Sequence, residues 1–368
     1  MTTPQGYAAF IPAPLPPKID LDMALVKELS KADAALSELS GVGRQLPNPH
    51  LLIAPWLRRE AVLSSRIEGT RATLSDVLLD ELSEENATHD PATDVQEVRN
   101  YVEALEFGLE RLATLPLSLR LVCELHEHLM RGVRGNSATP GEFRRSQNFI
   151  GHAGCNLETA AYVPPPVQEM HESLHRWEEF LHVRDEMPDL IQCALMHEHF
   201  EAIHPFLDGN GRVGRLLITL FLVERGRLSQ PLLYLSAYIE SNRNAYYDLL
   251  QRVRTHGDWN AWIRYFLVGV SAISREASAQ AGKLLDTREK LRSRFKDQPR
   301  ALALIDELVR NPYINVSRAQ KLLSVSNPTA RTAINALAAA GVLKEITERS
   351  WGKLYVATPV MEIIDPKP

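Results

Sequence analysis

A glycine-rich turn wedged between two helices constrains this chain more than any other stretch. The run His204-Pro205-Phe206-Leu207-Asp208-Gly209-Asn210-Gly211-Arg212-Val213-Gly214-Arg215 gathers a histidine, a carboxylate, a Gly-Asn-Gly turn and two arginines. Upstream, Pro188 and the spacing of Leu190, Ile191, Ala194, Leu195 and Ile203 predict a helix over 189–202. Downstream, Leu216, Leu217, Leu220 and Phe221 predict a second helix over 212–224. The turn therefore opens the second helix, where unpaired N–H groups and the positive end of the macrodipole attract anions. Glycines there let the backbone approach a phosphate closely. Arg212 and Arg215 lie one turn apart, so both can grip phosphate oxygens at one mouth. Asp208 suits Mg²⁺, which binds through one or two carboxylates plus substrate phosphates. His204, with an ordinary pKa near ~6.5, can accept a proton at neutral pH.

Three other readings fit parts of the same residues. Gly209 to Gly214 matches the dinucleotide pattern G-x-G-x-x-G, but that fingerprint follows a strand and here a helix precedes it. His197, His199 and His204 are metal-ligand types, yet His197-Glu198-His199-Phe200-Glu201 lacks the second histidine of H-E-x-x-H. A polar interhelical turn, with Asp208 and Asn210 capping the second helix, leaves two arginines and a histidine unexplained.

The stretch resembles, position for position, the HPFx(D/E)GNGRxxR signature of the Fic family, enzymes that move AMP from ATP onto protein hydroxyls. The resemblance implies a mainly α fold: a Fic-type helical core with a small β-hairpin flap. It implies His204 as general base on the target hydroxyl and Asp208 as the Mg²⁺ ligand. Gly209, Asn210 and Gly211 would cradle the phosphates. Arg212 and Arg215 would hold the triphosphate, with Val213 and Gly214 in the same nucleotide-binding run. Gly211 stands where kinase-like Doc relatives carry lysine, whose side chain would crowd the diphosphate seat. AMP transfer is therefore expected rather than phosphate transfer.

A second resemblance lies far upstream. Leu51-Leu52-Ile53-Ala54-Pro55-Trp56 leads into a helical stretch over 58–67 that ends at Glu68-Gly69-Thr70, where Gly69 reads as a helix stop. Ser64 and Glu68 are four apart and share a face. This is similar to the (S/T)xxxE(G/N) inhibitory helix of regulated Fic enzymes. The resemblance implies that Glu68 pairs with Arg215 and competes with the γ-phosphate for that fork. Some relatives use this glutamate to activate water and remove AMP. The sequence leaves both roles open for Glu68.

Between these motifs, Gly141-Glu142-Phe143-Arg144 runs into Asn148-Phe149-Ile150-Gly151. A glycine-containing connection then leads to Ala161-Tyr162-Val163-Pro164-Pro165-Pro166. Two β-prone runs around 151–156 predict a hairpin whose exit the prolines stiffen. In Fic enzymes such a flap pins the target by main-chain pairing, which here would involve Phe149, Ile150, Tyr162 and Val163. Further on, 234–239 and 242–247 look like the family's adenine side, with Tyr247 to stack a purine and Asn242 to bond its edge.

At 368 residues the chain suggests more than one domain. We expect an N-terminal helical region over 1–110, holding the inhibitory helix at about 51–69. A catalytic core over 111–273, a helical linker over 274–298 and a winged helix-turn-helix over 299–368 would follow. No apolar run reaches ~18 residues, which argues against a membrane span. Residues 1–20 carry five prolines without a basic start and a continuous apolar stretch, so they read as an irregular arm rather than a signal peptide. Cys123, Cys155 and Cys193 lack CxxC spacing and fit a reducing cytoplasm. The acidic run over 80–94 reads as a solvated loop.

In the tail, predicted helices over 300–310, 317–323 and 327–340 precede two β-prone runs over 342–347 and 353–356 around a turn at 350–352. Ser317 and Ser326 sit where N-caps belong. The third helix offers Arg331, Thr332 and Asn335 to a DNA groove, with Arg349 and Lys353 on the wing, a thin set for phosphate binding. A net charge of −5 and a pI near 6.2 also argue against a nucleic-acid-coating protein. Docking of a protein, a second copy of this chain included, is the favoured role for the tail. The leading expectation is an ATP:protein adenylyltransferase acting on Tyr, Thr or Ser hydroxyls, its own among them. The rival is a DNA-associated regulator that senses a nucleotide, which would need the phosphate seat but no base at 204.

Overall fold

The computed structural model describes residues 2, 6–45, 49–83, 93–133, 139–152, 154–347 and 352–366. Arg349, part of the turn at 350–352, most of the acidic run and residues 1 and 3–5 of the proline-rich arm lie outside the described residues. The chain is mainly helical. It opens with α1 (Met23–Gln45), α2 (Pro49–Ile67), α3 (Leu74–Ser83) and α4 (Thr93–Arg111). Next come α5 (Leu119–Met130), α6 (Val167–Leu181), α7 (Asp189–Ile203) and α8 (Asn210–Glu224). The short α9 (Ser236–Ser241), α10 (Arg243–His256) and the long α11 (Trp259–Arg294) complete this part.

At the centre lies α7, buried along its whole length from Leu190 to Ile203. A helix that is covered on every side needs partners on every side, and α6, α8, α10 and α11 supply them. Two tryptophans fix the packing: Trp177 of α6 donates Nε1–H to the Met196 carbonyl (3.0 Å), and Trp262 of α11 donates to the Ala194 carbonyl (2.9 Å). Both indoles are thus buried without an orphaned donor.

The helix carrying Glu68's neighbours starts earlier than the sequence suggests. α2 begins at Pro49 and runs through Pro55. An interior proline costs a helix about 3 kcal/mol. Burial of Ile53, Trp56 and Leu57, with Trp56 Nε1–H donated to Gln280 Oε1 at 3.0 Å, offsets that penalty. Downstream, α11 is one helix through residue 273, because Ala281 and Leu284 bury the same stripe as Phe266, Val270 and Ile273. The charged stretch expected as a connector from 274 is the second half of that helix.

The tail consists of α12 (Pro299–Arg310), β1 (Tyr313–Asn315), α13 (Val316–Leu323), α14 (Asn327–Ala339), β2 (Lys344–Glu345), β3 (Leu354–Val356) and α15 (Thr358–Ile364). Its strands form an antiparallel sheet in the order β1-β3-β2, with Ile314 opposite Tyr355 and Lys344 opposite Val356. Three helices with this small sheet are compatible with a winged helix-turn-helix. The cap of α13 is Asn315, whose Oδ1 accepts the Arg318 N–H at 2.7 Å, and Ser317 sits inside the helix. Arg331, Thr332 and Asn335 are exposed on α14, and Lys353 is paired with Glu345 at 2.9 Å. The tail is fastened to the N-terminal helices: Asn311 donates to the Leu78 carbonyl (3.0 Å) and Glu81 Oε2 (3.2 Å), and Tyr313 Oη bonds Ser75 Oγ (2.9 Å).

Trp262→Ala should lower stability by about 3–5 kcal/mol through the cavity it leaves around α7. Urea unfolding should show a lower midpoint with an unchanged slope, and an unaltered midpoint would mean α7 is not held this way.

Candidate active site

The predicted turn does join two helices, with α7 ending at Ile203 and α8 starting at Asn210. His204 ends α7 in the left-handed region, φ 50° and ψ 60°, uncommon for a residue with a side chain. Its carbonyl is held there by Arg144 Nε–H (3.1 Å) and Asn148 Nδ2–H (3.4 Å). Arg144 is fully buried; its backbone N–H bonds the Pro205 carbonyl (2.9 Å) and its guanidinium reaches the Pro165 carbonyl. Asn148 also donates to the Phe206 carbonyl at 2.8 Å.

Gly209 caps α8 with φ 80°, and no side chain caps the helix's first N–H groups. Asp208 and Asn210 therefore do not play the capping role considered above. Asp208 Oδ1 takes the adjacent Gly209 N–H at 2.6 Å. Asn210 instead clasps Phe206, accepting its N–H and donating to its carbonyl, both at 2.8 Å. The uncapped start of α8 is thus left as an anion seat.

A carboxylate from the turn that ends α2 already lies in that seat. A Cβ on Gly211 would overlap the Glu68 side-chain oxygen, so only glycine permits this approach. Glu68 Oε1 accepts from Arg215 NH2 at 2.7 Å. Ser64 holds the same guanidinium, its Oγ accepting from Nε (2.8 Å) and its carbonyl from NH2 (3.0 Å). Arg215 is buried with only 2% of its side chain exposed, whereas Glu68 keeps 35%. Burial raises the Glu68 pKa, but Arg215, then Arg212 and His204, outweigh it and hold the carboxyl below the ordinary value. Burial depresses Arg215, and Glu68 more than restores it, so the guanidinium stays charged.

Arg212 is buried between Glu97 Oε2 (3.4 Å), Met130 Sδ (3.6 Å) and Asp208 Oδ1 (3.7 Å), and its Nε lacks a partner. Glu97 in turn accepts from Thr70 Oγ1 at 3.0 Å, just past the end of α2. The His204 Nδ1 is buried without a hydrogen bond, although the Glu201 carbonyl lies near enough to favour its proton. Burial, with Arg254 adding and Glu68 opposing, lowers the imidazole pKa to about 4, so the ring is neutral at pH 7.

The remaining expected residues divide. Val213 is core, and Gly214 presents its carbonyl to His197 Nδ1 at 3.0 Å. Tyr247 is 43% exposed, and Glu68 raises its hydroxyl pKa while Arg215 lowers it, after the larger effect of burial. It therefore belongs to the same neighbourhood. Tyr246 is core, its hydroxyl bonded to His197 Nε2 at 2.9 Å. Asn242 spends its amide on the Tyr238 carbonyl (2.9 Å) at the end of α9 and is not drawn into the cluster. Among the described residues the expected hairpin is reduced to one reciprocal pair, Ile150 with Tyr162 (2.8 and 3.0 Å), and the prolines from 164 onward supply no donors to extend it outward. Phe149 and Ile150 are exposed there, Tyr162 and Val163 buried.

His126 is the site residue that the sequence did not announce. Its Nδ1 accepts from Gly141 N–H (2.9 Å), so Nε2 carries the proton and donates to the Asp208 carbonyl (3.1 Å). The ring stacks on Phe206 at 3.7 Å between centroids, and burial pulls its pKa to about 4. Its one sequence signal is position: a histidine on the apolar face of α5 with Val122, Leu125 and Leu129. For Mg²⁺ the donor set fits. Asp208 is half exposed beside the anion seat, and one carboxylate with substrate phosphates is what that ion uses. Among the described residues no group of three His, Cys, Asp or Glu could hold a metal without a substrate.

With this geometry, comparisons with known proteins are specific. The family model for the Fic/DOC family matches residues 116–222, and that for the Fic/DOC family N-terminal region matches residues 26–110; together they span just over half of the chain. The chain belongs to the Fic/DOC family. The protein adenylyltransferase Fic of Culex quinquefasciatus is 30% identical over 152 residues, 40% of this chain and 27% of that protein. That of Drosophila grimshawi is 29% identical over 154 residues, 41% of this chain and 28% of its own. The chain thus spans about a quarter of the length of these curated relatives. A crystal structure of a Fic family protein from Desulfovibrio desulfuricans shares the fold, with a TM-score of 0.60 over 93% of this chain and 98% of that one at 21% identity.

Two buried carboxylates stand beside the site with unpartnered oxygens, Glu198 Oε1 and Glu201 Oε1. Burial raises their pKa values to about 8 and about 7. A raised folded value means stability is full below the unfolded pKa and is lost as pH rises through the folded one. Glu198→Gln should therefore gain on the unsubstituted protein between pH 5 and pH 9 by at least about 1.4 kcal/mol, the worth of one pKa unit. Denaturation across that range checks it, and a pH-independent difference would show Glu198 ionised throughout.

Proposed function

We propose that this chain transfers AMP from ATP to a Tyr, Thr or Ser hydroxyl of a protein, and that Glu68 holds it back. The observation that carries the reading is the Glu68 carboxylate at the start of α8, within electrostatic reach of Arg215, Arg212 and His204 together. An acidic group drawn to that place marks where a phosphate would be drawn too. The names of the curated relatives point to the same chemistry.

In this mechanism the target oxygen attacks the α-phosphorus in line, His204 takes its proton, and pyrophosphate leaves toward Arg212 and Arg215. A ring that is neutral at pH 7 is ready to accept. Its lowered pKa keeps it so well into acid, and the acid limb of kcat/KM should fall near pH 4 rather than near 6.5. Mg²⁺, held by Asp208 and the phosphates, would neutralise charge on the leaving group. Tyr247 is suited to stack the purine from its exposed position. Ile150, Phe149, Tyr162 and Val163 would steady the target segment beside His204. The unit over 111–273 would carry the chemistry, and α2 the brake.

Glu68 keeps a third of its side chain exposed close to His204, which also suits a second reading, activation of water to remove AMP. The two part company in one variant. Glu68→Gly leaves Arg215 buried without its anion, so a triphosphate becomes the natural partner. Intact-mass spectrometry with ATP should then show more AMP adduct on the protein itself and on targets. His204→Ala in that background should cut the rate by about 10²–10⁴, the usual worth of a general base. No adduct from Glu68→Gly with any nucleotide would remove the transfer reading, and slower loss of a preformed adduct would favour removal.

A further inference from the structure

In Ile150 and Tyr162 each residue gives the other its N–H, so the residues flanking Tyr162 turn their polar groups to the opposite edge. That edge is occupied. The Val163 carbonyl accepts the N–H of Phe10 at 2.9 Å, and the Phe10 ring leans on Tyr162 with centroids 6.0 Å apart. Ala9 is buried beside it, and Tyr7 Oη donates to Gln147 Oε1 at 3.0 Å. Gln147 is itself bonded to the Pro164 carbonyl (2.9 Å) and precedes Asn148, which holds the loop at His204. Between this arm, the 157–163 segment and α10 lies a cavity of about 510 Å³, lined by Tyr7, Phe10, Leu157, Tyr162, Gln251 and Arg254. Arg254 is among the residues lining it, its guanidinium 3.8 Å from the centroid of the Tyr162 ring.

An extended segment with one backbone pair, an aromatic anchor and a hydroxyl at one end is what a strand-adding peptide looks like when bound. We propose that residues 6–10 are a built-in occupant of this edge, and that the edge takes an extended, uncharged peptide with an aromatic side chain over Tyr162 and a hydroxyl residue three positions earlier. That such a peptide is the acceptor of AMP rests on the function proposed above. Its binding does not. A tethered segment competes at roughly millimolar effective concentration, so an outside peptide meets a seat that is mostly filled.

The test uses the full chain and a fluorescein-labelled peptide, Gly-Tyr-Ala-Ala-Phe-Ile, read by anisotropy. Phe10→Pro removes both the donated N–H and the ring, and Phe10→Ala removes the ring alone. The peptide should bind Phe10→Pro at least about tenfold tighter than the unsubstituted chain, the gain expected when the edge is free less than a tenth of the time. Phe10→Ala should fall between. Equal affinity for all three proteins, or no binding to any, overturns the proposal. Tighter binding without an ATP-dependent mass gain on the peptide, in a Phe10→Pro and Glu68→Gly double variant, would keep the occupant and count against AMP transfer.

Discussion

The site depends on one buried guanidinium. Arg215 rides on α8 deep enough that water reaches almost none of it, and it carries a charge that must be answered inside the protein. Three of its bonds go to α2 and the turn that ends it: two to Ser64 and one to Glu68. Hydrogen bonds to a charged group are each worth about 1.5–3 kcal/mol, so helix and arginine fix each other's place. The carboxylate is the one partner still in contact with solvent, and hence the one that an incoming anion can replace. The asymmetry, 2% exposed on one side and 35% on the other, leaves the arginine enclosed and the carboxylate open to solvent.

Around that pair the loop is held by groups that take no part in charge exchange. His126 braces the Asp208 carbonyl while accepting from Gly141, at the foot of the segment leading to Ile150. Arg144 and Asn148 hold the His204 carbonyl from the same segment. Asn210 closes the turn on Phe206. The left-handed backbone at His204 would cost free energy in isolation, and this many bonds to its own and neighbouring carbonyls keep it populated. His204, the uncapped start of α8 and the segment leading to Ile150 are therefore one hydrogen-bonded unit.

How legible all this was follows from range. The helices of the turn and its glycines are written as local spacing and could be read; the pairing of residue 68 with residue 215, 147 positions apart, follows only from the resemblance of two short motifs to a known family. Arg144 and Asn148 stood in quoted stretches, but nothing local says that a side chain will bond a carbonyl 56 or 60 residues away. His126 is a core histidine on the apolar face of α5, and only its two partners give it a further role. The sequence places the helical stretch over 58–67, and tertiary burial of Trp56 carries α2 back through Pro55 to Pro49. The two-strand hairpin does not extend outward because its donors stop at Pro164, a limit visible in the sequence.

The anchoring of α2 also bears on how Glu68 could leave its seat. Glu60 accepts from Tyr101 (3.1 Å) and from Ser236 Oγ (2.6 Å), Trp56 is bonded to Gln280, and Arg58 pairs with Glu81, which Asn311 of the tail also holds. Withdrawing the helix would break contacts to α4, α9, α11 and the tail at once. The end of α2 is different. The backbone N–H groups of Glu68 and Gly69 make the tight bonds of a closing turn, to Ser65 and Arg66, and Gly69 takes φ 101° with open space around it. Rotation of the Glu68 side chain gives up a single ion pair and leaves the rest in place. If Glu68 holds the site back as proposed, physical economy puts its release in that last turn, while the body of α2 stays as the wall against which Ser64 keeps Arg215 aligned.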